Sequence, residues 1–572
     1  MEDAGQALVA GIESGARSFA LARAWLAKPG AWLVVCPTLP MAEVLARDLE
    51  FFLSGHGDSA HPVRLYPAYE VSPYEELDPP PEITARRLAV LWELMEDSHP
   101  LIVVTSARGL SPRLCPPEYL LDSALAFGTG SALSRDRLVE TLVNGGYTSV
   151  GLVEQVGDFA VRGSVVDFFG PLLDDPVRVE FFGDEIESLR RFDPTDQRSQ
   201  LGLSEATVIP CHPVDLSEQA VSRAVKGLRK LAQEEGLSSR KLSVITERME
   251  LRAPFTGLES FLPLYFPAAG DLFDYLPQDC THCLIEPAEV QTRLLAEAEE
   301  MAGQFEEARD EGRVVLAPPR LRRTPEQTTQ RLSLRPRLMF KALGLTYEEQ
   351  GPEPVTLRAK GYGTLHQDLG REGQGSLMER FTAWVGGEEE KGRKVVLICR
   401  SISQVDRLSE LLAERGQEVR VAQTASEALD DSMAGLTLLQ GALSTGFTPA
   451  ELPITLVTED EVFGAVRVVR QKAPPRLSAA LAALDDLNPG DYIVHVDHGI
   501  GLYQGLNTMA VGPAESDFLL ITYKGGDKLY LPADRMGLIS KYRGPDDAKP
   551  NLDQMGGKAW ARTKKRVQKA VD

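Results

Sequence analysis

Unbroken apolar runs at Ala31–Cys36 and Leu101–Val104 are short and bounded by polar turns. That is the pattern of strands covered on both faces in a parallel sheet. Between them apolar residues recur at helical spacing. Met41–Leu53 places Leu45, Leu49, Phe52 and Leu53 on one face, and Ile83–Met95 does the same with Leu88, Leu91, Trp92 and Met95. Strands alternating with helices predict a mostly parallel sheet covered by helices. Past Gly157 the period falls to two. Phe159–Arg162, Ser164–Phe168 and Val177–Phe182 alternate and meet at Gly163 and Gly170-Pro171, which predicts a small antiparallel unit.

Ala288–Arg313 reads as one long helix whose Glu297, Glu299, Glu300, Glu306 and Glu307 are expected to form a solvated face. Pro318–Pro354 shows no period, so a domain boundary is expected there. A compact α/β unit follows, with strands at Lys394–Cys399, Glu418–Ala422, Leu436–Leu439 and Ile454–Thr458. Ser401 with Gln404 forms a capping box for a helix that turns Val405, Leu408, Leu411 and Leu412 inward and ends at Gly416. In Asn488–Leu531, β-rich runs at Tyr492–Val496, Gly501–Leu506, Phe518–Tyr523 and Lys528–Leu531 alternate with Gly-rich turns. They predict a small curled antiparallel sheet of the SH3 or Tudor kind, whose open edge could take up a partner's strand. The fold class is therefore α/β multidomain. It divides into residues 1–125, 126–195, 196–340, 341–470, a linker at 471–487, a small barrel at 488–545 and a closing stretch at 546–572.

A net charge of −22 argues against a chain that coats nucleic acid by bulk electrostatics. Lys558–Asp572 departs from that balance, with six basic residues and one acid. On a helix beside Trp560 and Val567 these form either a solvated face or a nucleic-acid contact. Six cysteines in 572 residues suit a reducing compartment, and the chain is expected to be cytoplasmic. No apolar run approaches the roughly 18 residues of a membrane span.

Gly11-Ile12-Glu13-Ser14-Gly15-Ala16-Arg17-Ser18 has the shape of a phosphate loop, but Ala16 and Arg17 replace its second Gly and its Lys. A planar guanidinium does not substitute for the compact ammonium, so the loop is expected to be inactive. Cys280-Thr281-His282-Cys283 has no second pair at zinc spacing unless Cys211-His212 supplies it, and it also fits a buried strand. No metal is expected. Asp184-Glu185 and Glu459-Asp460-Glu461 resemble magnesium-binding acidic pairs but lack an upstream phosphate-binding Lys. His495 and His498 are expected to stabilise a turn. No catalytic nucleophile set stands out.

Gly490-Asp491-Tyr492-Ile493-Val494-His495 with His498-Gly499-Ile500-Gly501 resembles the polymerase-binding module shared by bacterial transcription-repair coupling factors and CarD-type regulators. Arg162-Gly163, Asp167-Phe168-Phe169, Arg178-Val179-Glu180-Phe181-Phe182 and Asp184-Glu185-Ile186-Glu187-Ser188 resemble domain 2 of the excision-repair protein UvrB, which the coupling factors also carry. Gly257–Leu264 and Leu272–Pro277 are similar to coupling-factor sequence too.

The resemblance implies an interaction scaffold in transcription-coupled DNA repair, one that joins RNA polymerase stalled at a lesion to UvrA. It assigns UvrA binding to Arg162, Arg178 and Phe182, and contact with the polymerase β subunit to Tyr503, Leu506 and Met509. ATP, Mg2+ and double-stranded DNA belong to the family's motor, a helicase-type ATPase, with the basic 558–569 stretch as an assisting surface. The chain ends at Asp572, where the helix leading to that motor would begin. We therefore expect no cofactor, no catalytic residues, a monomer, and UvrA binding that needs neither ATP nor polymerase. Two other readings compete. A stand-alone CarD-type regulator explains residues 488–545 and leaves the rest idle. A UvrB-like damage-recognition ATPase needs an intact phosphate loop and a long aromatic hairpin, for which Tyr66–Glu82 is too short.

Overall fold

The computed structural model describes residues 6–464 except 13, 56–61, 76, 97–99, 196, 236–238, 343–354, 372–374 and 431–434, and residues 490–541 except 496–498, 512–513, 526 and 533–538, together with 552. The chain forms two compact units, Met1–Ala465 and Val466–Asp572. The 471–487 linker and the 546–572 basic stretch, residue 552 apart, lie outside the described residues.

The first unit is built on a parallel sheet. Its strands are β1 (Gln6–Ala10), β2 (Trp32–Cys36), β3 (Val63–Tyr66), β4 (Ile102–Ser106), β13 (Thr281–Ile285), β14 (Arg337–Lys341) and β15 (Val355–Thr356). They lie in the order β15-β1-β14-β13-β2-β4-β3, and every pairing is parallel. Every residue of β2 and β4 is buried, as expected for unbroken apolar runs. Helices α1 (Ser14–Ala27), α2 (Leu39–Leu53) and α3 (Pro81–Met95) connect the early strands. Leu45, Leu49, Phe52, Leu53, Leu88 and Leu91 all reach the core.

Two expectations need correction here. The aperiodic 318–354 stretch contains β14, which lies in the sheet between β1 and β13. Its sequence, RLMFK, has a charge at each end, so no apolar run announces it. Nor is the helix Pro287–Asp310 solvated all along its acidic side. Glu297 is buried, paired with Arg322 and 3.4 Å from Arg108 Nε, because a buried carboxylate must find cations.

After β4 the chain builds an antiparallel sheet. Its strands are β6 (Thr148–Ser149), β7 (Asp158–Arg162), β8 (Val165–Phe168), β9 (Val177–Phe182), β10 (Glu185–Phe192) and β11 (Ser199–Gly202), in the order β11-β10-β9-β8-β7-β6. The short edge pair β6 and β7 runs parallel. Beside this sheet β5 (Leu125–Gly128) pairs with β12 (Glu205–Val208). Leu138, Val166, Phe168, Val179 and Phe181 fill its core.

The second α/β portion contains β16 (Ala359–Gly361), β17 (Lys394–Cys399), β18 (Val419–Ala422), β19 (Gly435–Gln440), β20 (Phe447–Pro449) and β21 (Ile454–Thr458). Their order is β16-β20-β21-β17-β19-β18. The Ser401–Gln404 capping box is present, and Gly416 follows the helix at φ +76°. This portion is not a separate body as the 341–470 division implied. Phe19, Phe51 and Phe52 share one core with Val396, Ile398, Leu439 and Phe447. The Phe19 and Phe447 rings lie 5.6 Å apart.

The described residues of the unit Val466–Asp572 form a five-stranded antiparallel sheet of β22 (Tyr492–His495), β23 (Gly499–Val511), β24 (Ala514–Thr522), β25 (Lys528–Pro532) and β26 (Ile539–Lys541), in the order β25-β24-β23-β22-β26. Ile493, Tyr503, Leu519, Ile521 and Tyr523 are buried. The register between β23 and β24 shifts at Tyr503–Gly505, where Gly505 has φ +120°.

Candidate functional site

The degenerate phosphate loop keeps the strand–loop–helix geometry. Strand β1 runs into Gly11 at φ +89°, and α1 begins at Ser14. The groups that would receive phosphate already have partners within the chain. Gly15 N–H donates to Thr445 Oγ1 at 3.1 Å. Arg17 is buried and lies 3.5 Å from Glu286, whose carboxylate also accepts from Ala342 N–H at 2.8 Å. Ser18 Oγ donates to Asp48 at 3.0 Å, and the same carboxylate accepts from Ser444 N–H at 2.8 Å and from Ser444 Oγ at 2.6 Å. Burial pushes the Asp48 carboxyl above its ordinary value, against the pull of the Ser444 and Ser18 hydrogen bonds. Residues 444–445 therefore close the start of α1. This set does not fit nucleotide phosphates, because the helix N-terminus is covered and the cation is paired.

The Glu459-Asp460-Glu461 and Cys280–Cys283 candidates have structural work. Thr458 caps the helix Glu459–Phe463, and Glu461 accepts from Thr458 N–H and, with both oxygens at 2.9 Å, from Gly446 N–H. Asp460 pairs with Arg400, and Glu459 accepts from Gln404 at 2.8 Å. Cys280 is buried beside β13, and Cys283 is buried within it, as the strand reading expected. Burial pushes the Cys280 thiol up to about 12. Among the described residues no group of His, Cys, Asp and Glu is arranged to hold a metal ion.

A different chemistry appears on the outer face of the antiparallel sheet. Residues alternate along β9, so Val177, Val179 and Phe181 enter the core while Arg178, Glu180 and Phe182 face out. Phe182 is 79% exposed, whereas Phe181 beside it is 5% exposed. Cross-strand register places Asp167 opposite Arg178, Val165 opposite both Arg162 and Glu180, and Arg190 opposite Arg178. The three residues singled out from sequence are thus brought to one face, but in different states.

Arg178 forks onto Asp167 through Nε at 2.8 Å and Nη2 at 2.9 Å, and its guanidinium lies 4.8 Å from the centre of the Phe192 ring. Hydrogen bonding to Asp167 holds its pKa above the ordinary arginine value. The Arg178 side chain is 19% exposed and that of Arg162 47%. Arg162 donates to the Gly151 carbonyl at 2.6 Å and lies 3.8 Å from Asp167. Two residues that sequence reasoning missed complete the face. Asp167 is buried beneath both arginines, and Arg190 lies 3.7 Å from Glu180, which also accepts from Ser188 Oγ at 2.6 Å. The alternation in Val165–Phe168 could have placed Asp167 on the outer face, but cross-strand register was needed to pair it.

On the five-stranded sheet Tyr503 is 3% exposed and belongs to the core. Backbone pairing places Leu506 opposite Leu519 and Met509 opposite Ser516, while the side chains of Leu506 and Met509 lie outside the described residues.

Comparison with known proteins separates these regions. Residues 125–213 match the UvrB interaction domain, and residues 487–543 match the CarD-like/TRCF RID domain. The chain is 35% identical to the transcription-repair-coupling factor of Myxococcus xanthus, over 98% of this chain and 47% of the relative. It is 28% identical to that of Haemophilus influenzae, over 90% of this chain and 44% of the relative. For Staphylococcus aureus strain USA300 the identity is 25%, over 99% of this chain and 47% of the relative. The chain spans about half the length of the curated relatives it matches. The chain thus carries matches to a UvrB interaction domain and a CarD-like/TRCF RID domain, and along nearly its whole length it is similar to about half of a transcription-repair-coupling factor.

Proposed function

We propose that this chain acts in transcription-coupled DNA repair as a scaffold, holding RNA polymerase through the CarD-like unit and UvrA through the outer face of the UvrB interaction domain. The observation that carries the reading is Phe182, an exposed aromatic on the same strand face as Arg178 and on the sheet face that also carries Arg162. An aromatic anchor among guanidiniums is the composition of a binding hot spot. The five-stranded sheet acts as a curled SH3- or Tudor-like module, and β25 and β26, its edge strands among the described residues, offer backbone to a strand of the polymerase β subunit. The filled helix start at Gly15 and Arg17 favours a scaffold over a UvrB-like ATPase. Double-stranded DNA is engaged by the family's motor, where ATP and Mg2+ also act, and this chain works as a monomer.

The test is titration of UvrA with wild type and with Phe182→Ala. Because Phe182 is exposed, the substitution should leave the unfolding midpoint unchanged and weaken binding by about 2 kcal/mol, roughly thirtyfold. Equal affinity for the two proteins would remove Phe182 from the contact. No binding by wild type would remove the UvrA assignment.

A further inference from the structure

The resemblance and the composition of the recognition face both suggest that Arg162 and Arg178 reach acidic groups on a partner. The geometry divides their roles. Arg178 is held by three contacts: two parallel hydrogen bonds to Asp167, and the Phe192 ring within cation–π distance. Pulling it outward to a partner would strip a buried carboxylate of its cation, which is strongly unfavourable. Arg162 is in a looser position. It keeps nearly half its side chain in solvent, hydrogen-bonds a backbone carbonyl, and feels Asp167 at 3.8 Å without a hydrogen bond.

Across the face, the three guanidiniums of Arg162, Arg178 and Arg190 meet the two carboxylates of Asp167 and Glu180, and Glu185 stands opposite Phe182 at the end of the strand. Asp167 is central to this arrangement, because it lies against two of the three cations while its own side chain is 2% exposed.

We propose that Asp167 is the positioning residue of the recognition face: its buried carboxylate fixes Arg178 and steers Arg162, so that a partner meets Phe182 and the Arg162 guanidinium. This rests on the UvrA reading above. Arg178 then supports the surface without touching the partner. The partner needs an apolar recess for Phe182 and an acid opposite Arg162, and no second acid for Arg178.

The experiment compares wild type, Asp167→Asn, Arg178→Gln and the double variant Asp167→Asn/Arg178→Gln in titrations of UvrA at about 0.1 and 0.5 M salt, where screening removes most of the attraction between exposed charges. Asp167→Asn frees the Arg178 charge and loosens Arg162. Its binding should depend more steeply on salt than that of wild type and be about tenfold weaker at the higher salt. The double variant replaces the ion pair with two amides that can bond each other and restores the net charge. It should return to within about threefold of wild type with the wild-type salt slope. A merely structural defect would not shift the salt slope of a folded protein.

If Asp167→Asn binds like wild type at both salts, Asp167 positions nothing. If the double variant is folded and remains as weak as Arg178→Gln alone, Arg178 is itself a contact, and the proposal is overturned even where Asp167→Asn does not fold. A wild type that fails to bind UvrA strikes the parent reading, and that outcome shows in the first arm alone.

Discussion

Gly15 is the position where the closed loop is most open to a quantitative test. It is the second residue of α1, and its N–H donates to Thr445 Oγ1. A Cβ added there would come well inside van der Waals contact with the Thr445 carbonyl oxygen and press on the Phe447 ring at 3.3 Å. Two effects oppose one another in Gly15→Ala. Alanine favours a helix over glycine by about 1 kcal/mol. Against that, overpacking costs about 1–3 kcal/mol and loss of the Gly15–Thr445 bond about 1 kcal/mol more. A carbonyl on packed backbone cannot swing aside as a side-chain end can, so the steric term wins. We expect net destabilisation of about 1–3 kcal/mol. Gly303 provides the control. It lies within the helix Pro287–Asp310, with nothing inside 4 Å of an added Cβ, so Gly303→Ala should stabilise by up to about 1 kcal/mol. Urea unfolding of the three proteins, followed by circular dichroism, should give shifts of opposite sign. If Gly15→Ala stabilises as Gly303→Ala does, Thr445 does not cover the helix start, and the account of the closed loop fails.

Steady-state phosphate release from ATP, with or without DNA, should stay at the blank, because Arg17 pairs with Glu286 and Thr445 takes the Gly15 N–H. Turnover lost on Arg17→Ala would contradict this. Met509→Arg on β23 should weaken capture of RNA polymerase by several kcal/mol if Met509 is at the contact centre, since it would bury an unpaired charge. Undiminished pull-down would take Met509 out of the contact. For pH, burial holds His282 down to about 4 against an ordinary 6.5. The unfolded chain therefore takes up a proton that the fold refuses, so stability is full above about pH 6.5 and falls toward pH 4 by up to 1.4 kcal/mol per unit. Glu259, pushed by burial up to about 7, has the opposite sign and gains stability as pH falls from 7 toward 4.5. Comparing urea midpoints of wild type and His282→Phe at pH 7, 6 and 5 cancels the Glu259 contribution. Parallel curves would mean His282 does not titrate as its burial demands.

What the sequence revealed follows from which forces act locally. Strands β2, β4 and β17 are covered on both faces, so unbroken apolar runs marked them, and the Ser401–Gln404 cap declared its helix. The split between Phe181 and Phe182 followed from strand alternation alone. Strand β14 stayed hidden because only Phe340 of its five residues is fully buried. Glu297 was misplaced although a signal existed. It lies in the stripe Val290, Leu294, Met301 and Ala308, whose spacing is helical, and a charge on that stripe has to be paired inside. The partner, Arg322, could not be known, because which residues a helix faces is settled by tertiary packing.

The same logic orders the candidate site residues. Arg17 and Arg178 both came to notice as cations in motifs, and the structure pairs both with carboxylates of the chain, Glu286 and Asp167. A guanidinium that is largely covered by its neighbours is not left unpaired, so its presence in a motif says as much about folding as about binding. A single exposed aromatic is equally ordinary by itself. Phe182 differs because strand alternation places it next to Glu180 on the face that also carries Arg178, and cross-strand register brings Arg162 to the neighbouring row. Its exposure secures nothing in the fold, whereas truncating Arg178 would disturb the sheet as well as the surface. Loss of binding on Phe182→Ala is therefore the cleaner evidence for a contact, and loss on Arg178→Ala would not separate recognition from support.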